Sequence, residues 1–178
     1  MRQIILPLLL ALLGTGAAAA AAPGAPDRAA CERAFRAYEN ALWLYPDNQW
    51  GDDVPVLRPD VARAARGLVR AGCLTTAQDL VHLPALAQNL APFAITDSGP
   101  AIRPTTVSLG IVTGFGVEHE ATLFFRGLGY RSRGVGAQTL GRRLFIGPFT
   151  SQGALDQALE VARQAGFIAP HVALHTRF

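Results

Sequence analysis

The sequence predicts an α+β protein whose C-terminal half is a four-stranded antiparallel sheet backed by two helices, preceded by a small helical region. Three observations predict it. The stretch from Val107 to Val172 repeats itself. Each copy reads as strand, turn, helix and return strand. Two cysteines bracket the helical region upstream.

Sliding the chain by 37 positions sets Gly110 on Gly147, Thr113 on Thr150, Gly116 on Gly153, Ala121 on Ala158, Arg126 on Arg163 and Gly129 on Gly166, without a gap. Val107 to Val112 and Leu144 to Phe149 are short apolar runs ended by Gly, Pro and Thr, which is how strands are punctuated. Val117, Ala121, Phe124 and Leu128 follow at helical spacing in the first copy; Leu155, Ala158, Leu159 and Ala162 do so in the second. Thr150 or Ser151 can cap the second helix, and Gly129 and Gly166 stand where a helix stops in a left-handed residue. The sum is βαβ-βαβ. A helix recrossing a sheet covers one face, so both helices lie behind the sheet and its other face is expected to be open. A half-covered sheet is either polar or binds something, and function is expected on that face.

Upstream, residues 1–22 read as a secretory signal peptide: a short basic start at Arg2, an apolar core from Ile4 to Leu13, and an alanine tract with A-x-A cleavage sites. The apolar core is too short for a permanent membrane span. Residues 23–90 form the helical domain. From Asp27, the residues Ala30, Ala34, Phe35, Tyr38, Ala41 and Leu42 keep helical spacing, with Arg and Glu expected on the other side. Asp47 to Pro59 reads as a loop around Trp50. A second helix starts at Pro59-Asp60, with Asp60 as its cap, Val61, Ala64, Ala65, Leu68 and Val69 as its apolar side and Gly72 as its end. A third is expected from Thr75 or Thr76 toward Leu90, and residues 91–104, rich in Pro and Gly, form a linker to the domain at 105–178.

Cys31 and Cys73 are the only cysteines. In an exported chain an even pair bridges, closing a 42-residue span. The rival reading, lipidation at Cys31, lacks the apolar residue expected three positions earlier, since Arg28-Ala29-Ala30 precede it. The disulfide is preferred.

The chain has no lysine; all 16 basic residues are arginine. From Thr105 onward 7 Arg stand against 4 acids, and Arg126, Arg131, Arg133, Arg142 and Arg143 fall within 18 residues that contain no acid. Such a cluster is either a solvated basic face or a site for an anionic partner. By strand alternation Leu144 and Ile146 point to the helices, while Arg143 and Phe145 share the open face with Ser108 and Gly110. Arg131 and Arg133 join them if the second strand alternates from Gly129-Tyr130. Aligning Val135 with Val172 gives the opposite parity.

Val107-Ser108-Leu109-Gly110, the helix to Gly129-Tyr130, Arg143-Leu144-Phe145-Ile146-Gly147-Pro148-Phe149, and the helix to Gly166-Phe167 together resemble the SPOR domain, a repeat of bacterial envelope proteins. The resemblance covers about Thr105 to Phe178. It implies a ferredoxin-like βαββαβ fold that binds peptidoglycan, preferring glycan strands stripped of stem peptides, through the open sheet face. Carried over by position, the residue two before the first glycine is usually glutamine and is Ser108 here. The residue after that glycine is commonly serine and is Ile111 here. The arginine four before the second glycine is kept as Arg143.

The glycan-binding residues expected are therefore Ser108, Gly110, Arg131, Arg133, Arg143 and Phe145. Arginine forks fit the lactyl carboxylates of a stripped glycan, an aromatic ring fits the C–H side of a sugar, and glycine allows close approach. The resemblance places the protein in the periplasm, enriched at the septum, as a non-enzymatic module linked to cell division or wall remodelling. The alternative is an interaction or regulatory protein whose helical domain binds an envelope or divisome partner, with the SPOR-like half as scaffold.

Other chemistries find little support. RNA-recognition domains share the topology, but Phe145 stands alone on the third strand and export removes the chain from RNA, so no nucleic-acid partner is expected. Glycan hydrolysis needs two carboxylates across a cleft, whereas Glu118, Glu120, Asp156 and Glu160 all fall on helices behind the sheet. His171 and His175, four apart on a strand, lie about 13 Å apart, too far for one metal ion. No cofactor is expected.

Overall fold

The computed structural model describes residues 26–44, 59–80, 83, 98–114, 116–136 and 141–174. Among them the order is α1 (Arg28–Trp43), α2 (Pro59–Arg70), β1 (Ala101–Val112), α3 (Val117–Gly127), β2 (Ser132–Val135), β3 (Arg142–Ser151), α4 (Gln152–Gln164) and β4 (His171–Val172). The strands form one antiparallel sheet in the order β2-β3-β1-β4. The expected signal peptide, Trp50, His175, the expected third helix beyond residue 83 and residues 91–97 of the expected linker lie outside the described residues.

Local chemistry sets the ends of the helices. The Asp27 carboxylate caps α1 by accepting from the Ala29 N–H at 2.9 Å, and the Ser151 hydroxyl caps α4 by accepting from Ala154 N–H at 3.3 Å. The repeat is visible in how α3 and α4 stop. Gly129 donates to the Arg126 carbonyl and Tyr130 to that of Phe125; Gly166 donates to Arg163 and Phe167 to Ala162. Both glycines have positive φ, +86° and +96°, as a left-handed helix stop requires.

The core behind the sheet is built from Val107, Leu109 and Val112 of β1, Leu144 and Ile146 of β3, and the stripes of α3 and α4, with Phe125 and Phe167 fully buried at its centre. Leu144 and Ile146 thus face the helices as alternation predicts. Phe125, outside the expected α3 stripe, is 0% exposed.

The opposite face is not open. Cys31, Phe35, Tyr38 and Leu42 of α1 and Val61, Ala65 and Leu68 of α2 form a second buried cluster that includes Ile111 of β1 and Ala169 before β4. The described part of the helical region takes the sheet as one wall of its core. The Cys31–Cys73 disulfide is present, with a Cα–Cα distance of 5.3 Å, and ties the first turn of α1 to the residue after the Gly72 stop of α2.

Several boundaries differ from expectation. Thr75 does not start a helix: it bridges to the sheet, donating to the Ile111 carbonyl and accepting from Thr113 N–H, both at 2.9 Å. Thr76 is held by the Asp79 carboxylate through two 2.7 Å bonds, and residues 77–80 form turns. The backbone groups of Thr75 are satisfied by β1, while Asp79 and Leu80 donate to the Thr76 and Ala77 carbonyls in turns. Ala101 to Pro104 belong to β1 and not to a linker. Asp60 lies inside the first turn of α2, which begins at Pro59, and so is not its cap; Val69 is half exposed at 50%, so the α2 stripe is narrower than expected.

Candidate functional site

β1 and β3 pair with Ser108 opposite Phe145 and Gly110 opposite Leu144, so two steps on β1 answer one on β3. This is a β-bulge, and Gly110 takes it at φ +87°. After the bulge Ile111 stands opposite Arg143, on the α1 side of the sheet. β2 pairs with β3 so that Arg133 faces Phe145 and Val135 faces Arg143. That settles the open register: Arg133 shares the face of Phe145. The parity obtained by aligning Val135 with Val172 fails, because Val172 packs on the α3 and α4 side.

Ser108, Gly110, Arg143 and Phe145 therefore meet on one face, with Arg133 alongside, as strand alternation predicts. Their accessibility does not match the expectation. Ser108 is 2% and Phe145 5% exposed. Gly110 lies under the Phe35 ring of α1, so close that a Cβ there would come within 2.9 Å of the ring. Arg143 is half-buried, its guanidinium carbon 5.9 Å from the Phe145 ring centroid. The bare face expected from the sequence is covered by α1, whose apolar stripe is buried there.

Of the five clustered arginines, Arg142 is used within the fold: it pairs with Glu118 of α3 at 3.2 Å and donates to the Gly136 and Gly134 carbonyls at 2.9 and 3.2 Å. Arg126, Arg131 and Arg133 are exposed. Arg131 also lines a cleft of about 290 Å³ with Tyr130, Gly147, Pro148, Phe149 and Thr150.

The residues that sequence reasoning missed lie between α1 and the sheet. Glu39 is 6% and His171 2% exposed, and the His171 Nε2 to Glu39 Oε1 distance is 3.3 Å. His171 stands opposite Ser108 on β1. Its Nδ1 lies 2.8 Å from the Ala169 carbonyl, and its ring stacks on Phe35 with centroids 5.8 Å apart. Burial by itself pushes the Glu39 carboxyl up, but His171 and the Ser108 hydroxyl outweigh it and hold the group below its ordinary value. For His171 burial pushes the imidazole down, and the Glu39 carboxylate outweighs it, raising the group above its ordinary value. Burial also lowers the Arg143 guanidinium, against the pull of Tyr38 and Glu39.

The signal for Glu39 was in the spacing: it sits four residues after Phe35 and next to Tyr38, inside the buried stripe of α1, not on its polar side. No arrangement of three or more potential metal ligands occurs among the described residues. Comparisons with protein families, curated proteins and solved structures find no match for this chain.

Proposed function

We propose that the chain is an exported, non-enzymatic interaction module of the cell envelope, in which a SPOR-like βαββαβ half of ferredoxin-like topology is the scaffold and the disulfide-tied helices meet a protein partner. One observation carries this reading: α1 occupies the sheet face on which a glycan strand would lie, with Phe35 over Gly110 and Glu39 against His171. A ligand could reach Ser108 or Phe145 only by displacing a buried apolar stripe. The disulfide fits an oxidising compartment, and no helix among the described residues is long and apolar enough to cross a membrane.

A second reading keeps the wall glycan as ligand and moves it to the β2 edge. It is favoured by the exposure of Arg131 and Arg133 and by the cleft of which Arg131 forms one wall. There guanidinium forks would meet the carboxylates of a stripped glycan.

Retention of the full chain on purified sacculi, before and after an amidase removes the stem peptides, separates the two. The interaction reading expects no saturable retention that stripping enhances. Enhanced retention overturns it, and loss of that retention in the Arg131→Ala, Arg133→Ala double variant assigns the site to the β2 edge.

A further inference from the structure

In the contact between α1 and the sheet one imidazole lies between two acceptors, and only one charge state suits both. The Ala169 carbonyl, 2.8 Å from His171 Nδ1, can only accept, so Nδ1 carries a proton. The Glu39 carboxylate, 3.3 Å from Nε2, is likewise an acceptor with no proton of its own to offer. A neutral ring with its proton on Nδ1 would turn a lone pair toward a carboxylate in a place where neither side chain has water to turn to. The seated arrangement therefore requires the imidazolium.

We propose that His171 is a proton-dependent latch for α1: the helix is seated while the ring carries both protons, and loss of one frees the part of α1 beyond Phe35, together with β4, from the sheet.

The rest of the surroundings fits a hinged release. The groups facing the pair are Arg36 and Tyr38 from α1, Arg143 from β3 and Ser108 from β1. Arg36 opposes a positive charge on the ring and is already engaged with Glu32 at 2.7 Å, while Arg143 faces Glu39 and Tyr38. Glu39 is the anion of the group and the reason the proton stays. The first turn of α1 cannot leave, because Cys31 is bonded to Cys73. Glu39 lies eight residues further on, about 12 Å along the helix axis, so the disulfide acts as the pivot of a flap. β4 is the weaker side of the joint, an edge strand of two residues paired only to β1. Opening uncovers Ser108, Gly110 and Phe145, and on α1 the rings of Phe35 and Tyr38. The surface offered to a partner then differs between the two states, whatever the partner is.

The test is amide hydrogen exchange on the full chain with its disulfide intact, at about pH 6 and about pH 9, corrected for the intrinsic pH dependence of exchange. Expected is a loss of protection of at least about ten-fold in α1 beyond Phe35 and at β4 on going to the higher pH, with α4 unchanged. Glu39→Gln, whose amide can meet a neutral imidazole, should abolish the difference. A constant ratio of α1 to α4 protection at both pH values overturns the latch. The wild-type imidazole carbon shifts give a second readout that needs no variant: a ring found neutral at about pH 6 also overturns it.

Discussion

The two faces of the sheet are built on different principles. Behind it, Val107, Leu109, Leu144 and Ile146 meet α3 and α4 through apolar contacts centred on Phe125 and Phe167. In front, α1 brings Phe35, Tyr38 and Leu42, but also a buried carboxylate, and the sheet answers with Ser108, His171 and a half-buried Arg143. A dry apolar contact is non-directional and holds at any pH, whereas a buried ion pair costs desolvation and holds in one geometry and one charge state. The rear face makes the fold; the front face specifies where one helix sits.

The largest expected effect tests whether the front layer is part of the fold. Phe35→Ala removes the ring that roofs Gly110 and stacks on His171, at a cost of about 3 to 5 kcal/mol for a buried aromatic. If the faces differ as argued, thermal melts should show an early loss of α1 before the sheet unfolds. A single cooperative transition in this variant would mean that the two faces unfold as one unit. Next in size is Leu144→Ala, at roughly 2 to 5 kcal/mol. Here the melt should stay single and move down as a whole, because the cavity opens in the core that every strand shares. Circular dichroism and hydrogen exchange read both outcomes.

The sequence carried the rear face almost completely. Apolar residues at period two on β1 and β3, and at 3.6 on α3 and α4, name their own partners once the 37-residue repeat is seen. The helix stops at Gly129 and Gly166, the cap at Ser151, and the disulfide were equally readable, because each depends on neighbours in sequence or on simple pairing. The front face was not, since an amphipathic stripe states that α1 must be covered and not by what. Two residues did carry a trace of the answer. Ser108 and Ile111, at positions where the resemblance to the SPOR domain would put glutamine and serine, are smaller or less polar than a solvent-facing strand needs. They suit a face with a helix on it, and Ile111 lies in the α1 cluster. The bulge at Gly110, which moves Ile111 to that side, could not be read from alternation alone. His171 was legible as a residue facing the same side as His175, but its partner is Glu39, 132 positions earlier in the chain.

The smallest effect is the dependence of stability on pH, because it concerns one proton at each end of the window. Glu39 has a folded-state pKa below its ordinary 4.5, so its contribution is present above about that value and is lost as pH falls through the lowered one. His171 has a folded-state pKa above its ordinary 6.5, so its contribution is complete below that value and fades as pH rises through the raised one. The pair therefore adds most between the two ordinary values, in mildly acidic solution. The melting temperature of the wild type, compared with that of Glu39→Gln across this range, should show an excess in that window and a decline on both sides. Among the described residues of the rear cluster the titrating side chain is Tyr130, which burial raises above its ordinary 10.0, so that face offers no such profile in this range, and a variant with the α1 contact removed should lose the decline on the alkaline side. A wild-type profile that rises steadily from mild acid to alkaline pH would instead mean that a neutral His171 is compatible with the seated helix, and the contrast between the two faces would reduce to one of composition.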